Sequence, residues 1–492
     1  MNRGSVILTA VIIYLGVCIG VGLWAMRRTK SSNDFFMGGR NLGPLVIGFA
    51  AFSSTLSGFG FVGGPGLVYR MGMSSIWMVV VSAISIAIGF SVVAKRARLL
   101  AQLGDCISLP DVAYLRFRSN LVRGLLAVVV LLGVLGYLAT QILAMSVVLQ
   151  EVLRDANFFP DISLGMAVTV STSVLLFYTV TGGIIASVYT DLIQGIIMVV
   201  AAVLVFGTIL TTFDGGMAEI SSIIAADDAQ AMGPWGTIGV FGAMSWILVF
   251  SLGGAGQPHV VTKYMMIKEV RGLRTVIPVM AGAYMLAALL WIGLGLAMRA
   301  LVLSGRHDVL AAPDMAAAAF LQGFTNPVLA GVVFAALLAA IMSTADSFLN
   351  VGTAAIVHDI PNALIGRSVK NELLWARATT VGLSVFAAII AVYSGELVAL
   401  LGAFGWGTFA AAFVPVLAIG LNWKRATPRA AVVAIVASLA INFGTRVAGV
   451  SAPYSTDMGA VALVVSMFLF IVVSLMDKPA TIDPDVGLVM EL

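Results

Sequence analysis

Residues 339–347 read Ala339, Ala340, Ile341, Met342, Ser343, Thr344, Ala345, Asp346 and Ser347 within an otherwise apolar stretch. At helical spacing Ala340, Ser343, Thr344 and Ser347 share one face. Asp346 is the one acid placed well inside any long apolar segment, and an ionisable group at membrane depth is costly unless partnered. Hydroxyls, backbone carbonyls and a carboxylate are hard oxygen donors, which suit a small hard cation better than a soft metal. The same hydroxyls can instead bond back to carbonyls of the preceding turn, and Asp346 can serve a backbone amide, so both roles stay open. Carbonyls become free for a cation where a helix breaks, and two clusters suit a break. One is Ser53, Ser54, Thr55, Leu56, Ser57, Gly58 and Gly60, followed by Gly63, Gly64, Pro65 and Gly66. The other runs from Ser251 through Gly253, Gly254, Gly256 and Gln257 to Pro258 and His259.

The elements that position these residues follow from composition. The chain has 492 residues, 60% hydrophobic and 10% charged, against about 25% charged in an ordinary soluble domain. A soluble surface cannot be built from that, and strand-period alternation is absent, which excludes a membrane barrel. Breaking the chain at charges and turn residues gives thirteen apolar segments: 7–26, 44–69, 71–94, 124–150, 162–180, 188–211, 237–257, 276–303, 327–355, 373–393, 397–421, 428–446 and 458–476. Each reaches the roughly 20 residues that a helix needs to cross hydrocarbon. With the loop after the first segment on the cytoplasmic side, 21 of the 27 Lys and Arg fall on that side, Lys263 among them; Arg3, Arg70, Arg154, Arg299, Arg306 and Arg446 fall opposite. The positive-inside rule thus predicts an outside N-terminus and a cytoplasmic C-terminus. The first segment is expected to be retained, since Arg27 and Arg28 follow it rather than a small-residue cleavage site.

The second and seventh segments hold the two Gly- and Ser-rich clusters, five segments apart. Paired interruptions in corresponding halves point to an inverted-repeat transporter with a central site; small residues for close helix packing are the bland alternative. Asp191 is expected to be a helix-start acid at the sixth segment, of interest only if it faces Asp346. His307 and His358 are expected to be solvated, His259 to shape the break, and Cys18 and Cys106 to be unpaired thiols. No Gly-Lys pair exists for a phosphate loop, and neither a His-Glu-x-x-His motif nor a potassium-type filter is present. Nucleotide-driven pumping by a phosphate loop is thereby excluded, and nothing supports an enzyme or a channel. The loops are short, the longest near 95–121 and 212–236, and with a 16-residue tail after Met476 no soluble catalytic domain is expected.

At these residues the chain resembles the sodium:solute symporter family, closest to its sodium/proline branch. The likeness runs from Asn33–Phe36 and Gly38–Arg40 through Leu109–Asp111, Tyr189–Asp191, Gly256–His259 and Ala340–Thr344 to Gly405–Gly407. It implies an all-α polytopic membrane protein of 13 transmembrane helices. These form a single domain over 1–492 with a LeuT-type core of two inverted five-helix repeats, about 44–211 and 237–421. Spans 2 and 7 are broken, and segments 7–26, 428–446 and 458–476 are peripheral. It implies sodium-driven uptake of a small organic solute by alternating access, first of all proline or another amino acid or carboxylate. The setting would be a bacterial inner membrane, with lipid, sodium and solute as partners and neither nucleic acid nor an obligate protein partner. Carried over by position, the sodium ligands are backbone carbonyls of Ser53, Leu56 and Ala340 with hydroxyls of Ser343 and Thr344; a second sodium falls at Asp191, Asp346 and Ser347. The solute pocket falls at Thr55, Phe59, Tyr137, Gln141, Phe250, Gly254 and Trp406, residues that could equally pack a core. The proline branch has a carboxylate at the place of Thr55, and Trp and Tyr at those of Phe250 and Gly254, which implies room for a solute differing from proline. A proton-coupled symporter using Asp346, and sodium-coupled transport of a sugar or other larger solute, remain alternatives.

Overall fold

Hydrocarbon offers no hydrogen bonds, so a spanning chain satisfies its backbone within helices or closed barrels. The computed structural model describes residues 2–29, 31–159, 161–367, 369–393 and 398–492, which are helical throughout with no strand among them. Lys30 and residue 397, the first of the eleventh expected segment, lie outside the described residues. The principal helices are α1 (Arg3–Met26), α2 (Pro44–Thr55), α3 (Gly64–Met71), α4 (Ile76–Gly89), α5 (Asn120–Asp155), α6 (Leu164–Thr212) and α7 (Gly239–Gly253). They continue as α8 (Pro258–Met265), α9 (Leu273–Leu303), α10 (Pro327–Ala354), α11 (Glu372–Tyr393), α12 (Val398–Phe413), α13 (Pro428–Val447) and α14 (Met458–Met476).

Among the described residues eleven helices are long and apolar enough to cross a membrane, so the chain is an integral membrane protein. The thirteen expected segments differ from these eleven at two places. The second begins on α2, only 12 residues long, because Leu56 leaves the helical region at φ −91° and ψ 79°. After a π-helical turn at Phe59–Gly63 the chain continues through α3 and α4 as one apolar stretch to Leu103. The fifth is an apolar helix over Leu164–Phe177, shorter than a span, and it meets the sixth, Gly183–Thr212, at a kink at Gly183 within α6. Gly183 has φ +55°, a conformation open mainly to glycine, and a Cβ there would stand 2.7 Å from the Phe35 ring. The seventh segment runs past its expected end at 257. After α7 and a short 3-10 turn Gln257 is extended, and α8 then starts at Pro258, whose missing N–H costs nothing in a first turn.

The centre of the bundle is α10, with 83% of its apolar window buried against 28% for α1 and for α11. It packs on α1, α2, α5 and α6. By contrast, α11 exposes Val381, Val385, Phe386, Ile389 and Val392 at helical spacing, a face made for lipid.

At the basic end of the bundle, arginines cap helix ends. Arg98 donates to the Ile267 carbonyl at 2.7 Å, and Arg116 donates to those of Gly420 and Trp423 at 2.8 and 3.0 Å. Leu42 and Ile267 form an isolated parallel bridge, in which Lys268 N–H donates to the Leu42 carbonyl at 3.0 Å. His358 corrects the expectation of a solvated side chain. It is largely buried between Asp111 at 3.0 Å and Glu372 at 2.9 Å, because the helix Leu109–Phe117 tucks Asp111 beneath α10. Arg123 pairs with Asp111 on its other oxygen. Both cysteines are buried and free.

Candidate functional site

Where α2 stops, its last carbonyls face α10. The Ser343 hydroxyl donates to the Ser53 carbonyl at 3.0 Å, and the Thr344 hydroxyl to the Ser54 carbonyl at 2.9 Å. Both also reach the Ala340 carbonyl one turn back, at 2.9 and 3.2 Å. Back-bonding and cross-helix bonding therefore coexist, since each hydroxyl serves two carbonyls. Ser53, Leu56, Ala340, Ser343 and Thr344 are all essentially inaccessible to solvent. The non-helical Leu56 removes its carbonyl from the regular ladder at this point. Uncharged oxygens thus gather at one buried locus between an interrupted helix and an intact one, a donor set suited to a small hard cation.

A turn further along α10 lies a second polar group. Ser187 donates to Asp346 at 2.8 Å and reaches Asp191 at 3.5 Å, so one hydroxyl of α6 connects the two acids. Ser347 donates to Asp346 at 3.2 Å and lies 3.1 Å from the Ser54 hydroxyl. Asp191 corrects the sequence reading of a helix-start acid. It sits inside α6, eight residues beyond the Gly183 kink, wholly buried, and pairs with Lys263 at 2.5 Å. Lys263 corrects a second expectation, because it was counted among the charges edging the cytoplasmic side. On α8 it is 1% exposed, donates to the Ala50 carbonyl at 3.0 Å and hydrogen-bonds the Ser54 hydroxyl. Sequence reasoning missed it, although Lys263 is the one charge in the run Val260–Ile267, which was a signal. Burying this pair requires extra hydrogen bonds to each ion; Ala50 and Ser54 provide them to the ammonium, whereas Asp191 Oδ1 is buried with no hydrogen-bond partner among the described residues.

The expected pocket residues divide. Phe59 stacks on Phe250 at 6.0 Å, and Phe250 on Trp406 at 5.6 Å, so three of them form one aromatic row. Trp291, which sequence reasoning did not single out, meets Phe59 edge-on at 5.4 Å. Gln141 accepts from the Gly58 N–H at 2.9 Å and so pins the interrupted stretch. Tyr137 packs against Phe348 at 4.5 Å and beside Gly405, next to Trp406, with a hydrogen bond to Ser57, and His259 lies tilted against the Phe348 ring at 4.2 Å. The Thr55 hydroxyl bonds back to the Ala51 carbonyl at 2.7 Å. Gly254 faces α4: its N–H donates to Ser85 at 2.8 Å, and a Cβ there would stand 2.2 Å from the same hydroxyl. Close packing is thus one use of these glycines, as Gly64 also shows, where a Cβ would lie 2.2 Å from the Trp291 ring.

Buried polar atoms are normally satisfied, and exceptions need a reason. Around the aromatic row, Gln141 Nε2, Gln257 Oε1 and Trp291 Nε1 are buried with no hydrogen-bond partner among the described residues. Gln257 is fixed by its other end, where Nε2 donates to the Gly253 and Trp406 carbonyls at 3.1 and 3.2 Å. These residues adjoin the row, Trp291 through Phe59, Gln257 through the Trp406 carbonyl and Gln141 through Gly58.

Residues 35–437 match the sodium:solute symporter family. The osmoregulated proline transporter OpuE of Bacillus subtilis (strain 168) is 28% identical over 95% of this chain and 94% of its own length. The high-affinity proline transporter PutP of the same organism is 28% identical over 94% of this chain and 97% of its own length. A sodium/proline symporter of Salmonella typhimurium is 28% identical over 86% and 84% of the two chains. Among solved structures, a Na+-coupled sialic acid symporter in a substrate-bound outward-open state superposes with a TM-score of 0.78 at 21% identity, covering 98% of this chain and all of the other. A nucleobase-cation-symport-1 family transporter superposes at 0.58 with 14% identity, over 94% and 99% of the two chains. At these identities the superpositions establish the shared fold.

Proposed function

The chain belongs to the sodium:solute symporter family; it is a transporter, not an enzyme, that couples sodium to solute uptake, and we propose that its solute is proline or a similarly small amino acid or carboxylate. The observation that carries the coupling site is the pair of cross-helix bonds from Ser343 and Thr344 to the carbonyls that end α2. In this reading sodium lies among Ser53, Leu56, Ala340, Ser343 and Thr344. It draws the interrupted helix against α10, and the solute sits beside Phe59, Phe250 and Trp406. The free donors of Gln141 and Trp291 suit a carboxylate, and the free acceptor of Gln257 suits an ammonium or imino group. Of the remaining expected residues, Thr55 and Tyr137 flank this region, and Gly254 acts on it through the α4 contact.

The architecture proposed is thirteen spans with α2–α3 and α7–α8 as broken helices 2 and 7. The spans form a single LeuT-type domain of two inverted repeats, with the N-terminus outside and the basic end in the cytoplasm. One sodium moving inward contributes about 2.3 kcal/mol per 100 mV, and a tenfold sodium gradient adds about 1.4 kcal/mol. Together these support roughly 10²–10³-fold solute accumulation. Binding of sodium and solute strengthen each other by the same factor, because the coupling free energy is reciprocal.

The test is thermal stabilisation of the purified chain by amino acids, carboxylates and sugars, in sodium and in potassium buffer. Stabilisation by proline or a small relative in sodium alone is the expected result. A stabilising sugar with inert amino acids refutes the solute assignment, and uptake driven by a pH step without sodium refutes the coupling ion in favour of protons at Asp346.

A further inference from the structure

One of the three residues expected to hold a second sodium, Asp191, is paired with a lysine, and Asp346 and Ser347 lie beside that pair. The Lys263 ammonium is a compact point charge with three N–H donors, and three oxygens from two helices take them: Asp191 Oδ2 at 2.5 Å, the Ala50 carbonyl at 3.0 Å and the Ser54 hydroxyl. Carboxylate, carbonyl and hydroxyl are the donors an alkali cation would use. A closed ring of contacts joins this set to the other expected ligands. It runs from Asp191 to Ser187, from Ser187 to Asp346 and on to Ser347, then through the Ser54 hydroxyl back to Lys263. A sodium ion lodged on Asp191 would share its carboxylate with a fixed positive charge, in a region from which solvent is excluded and repulsion is weakly screened.

We infer that Lys263 is a tethered cation standing in the place of a second sodium, so that one sodium accompanies each solute. This rests on the assignment of the first sodium to Ser343 and Thr344. The lysine is covalently part of α8 and cannot be transported, so it neutralises Asp191 here without adding to the charge carried. It also holds Ser54 by the hydroxyl while the Ser54 carbonyl accepts from Thr344 at 2.9 Å, which sets one wall of the sodium locus before the ion arrives.

The experiment counts labelled sodium bound to the purified full-length chain in detergent, without solute, alongside the Hill slope of sodium-induced thermal stabilisation. The expected result is one sodium per chain with a slope of one, rising to two sodium ions and a slope approaching two in Lys263→Ala, and remaining at one in Lys263→Arg. Two sodium ions in the unaltered chain, one of them lost in Ser343→Ala with Thr344→Ala, overturn the inference and leave the first site standing. Sodium binding untouched by that hydroxyl pair overturns the first-site assignment itself. If Lys263→Ala does not fold, the counts for the unaltered chain and Lys263→Arg decide between one and two.

Discussion

Removing the two hydroxyls of α10, Ser343→Ala with Thr344→Ala, strikes the coupling site where the structure is most explicit. Each hydroxyl lies within 3.0 Å of a carbonyl at the end of α2 and also reaches Ala340. The protein loses two neutral hydrogen bonds across helices, about 1 kcal/mol apiece. The ion loses two oxygen ligands. An interaction with a charged group contributes about 1.5–3 kcal/mol, so the pair removes roughly 3–6 kcal/mol of sodium binding, or about 10²–10⁴-fold in affinity at 1.4 kcal/mol per tenfold. Half-saturation by sodium should therefore leave the accessible range, while the folded chain persists with a modestly lower Tm. The assay is initial-rate uptake of labelled proline into membrane vesicles across a sodium series, with Thr344→Ser as the control that retains an oxygen. Sodium half-saturation within about threefold of the unaltered chain would refute both the magnitude and the assignment.

Three further outcomes follow from the packing. Gln141→Leu leaves the Gly58 N–H without its 2.9 Å acceptor and should lower stability by about 1–3 kcal/mol, the cost of a buried unpaired group; an unchanged denaturation midpoint would contradict this. Gly64→Ala drives a Cβ to 2.2 Å from the Trp291 ring and should cost about 1–3 kcal/mol by overpacking. In a double-mutant cycle Trp291→Ala should recover part of that loss, and strict additivity would argue against direct contact. Burial pushes Asp111 upward, but His358 and Arg123 outweigh it and hold the carboxyl below the ordinary range. A depressed folded-state pKa contributes stability that is present above about pH 4 and is lost as pH falls through the folded value. Asp111→Asn should flatten that acid limb in a Tm-against-pH series, and an undiminished limb would show that other groups carry it.

The apolar runs made the long helices legible, because lipid leaves the backbone few alternatives, and the Gly- and Ser-rich clusters marked where α2 and α7 end. Type and helical spacing put Ser343 and Thr344 on one face but left open whether they bond back along α10 or across to α2, and the structure has both contacts. What a one-dimensional pattern could not carry was which polar groups meet. Lys263 resembles any loop lysine until α8 turns it inward onto Asp191. His358 resembles any flanking histidine until Asp111 is brought beneath it. Trp291 belongs to an apolar segment like many others, and its place against Phe59 depends on Gly64 letting α3 approach α9. Gly183 falls between two expected segments, and its positive φ marks the kink at which those two helices meet.

The bridge between Leu42 and Ile267 has a mechanical meaning. It fastens the chain entering α2 to the chain leaving α8 through the Leu42 and Met266 carbonyls, and Arg98 donates to the adjacent Ile267 carbonyl. A side-chain contact has rotamer slack, whereas a backbone bridge has almost none. The two interrupted helices are thus tied backbone to backbone at the basic end, a join that under the proposed alternating access would move them together against α10.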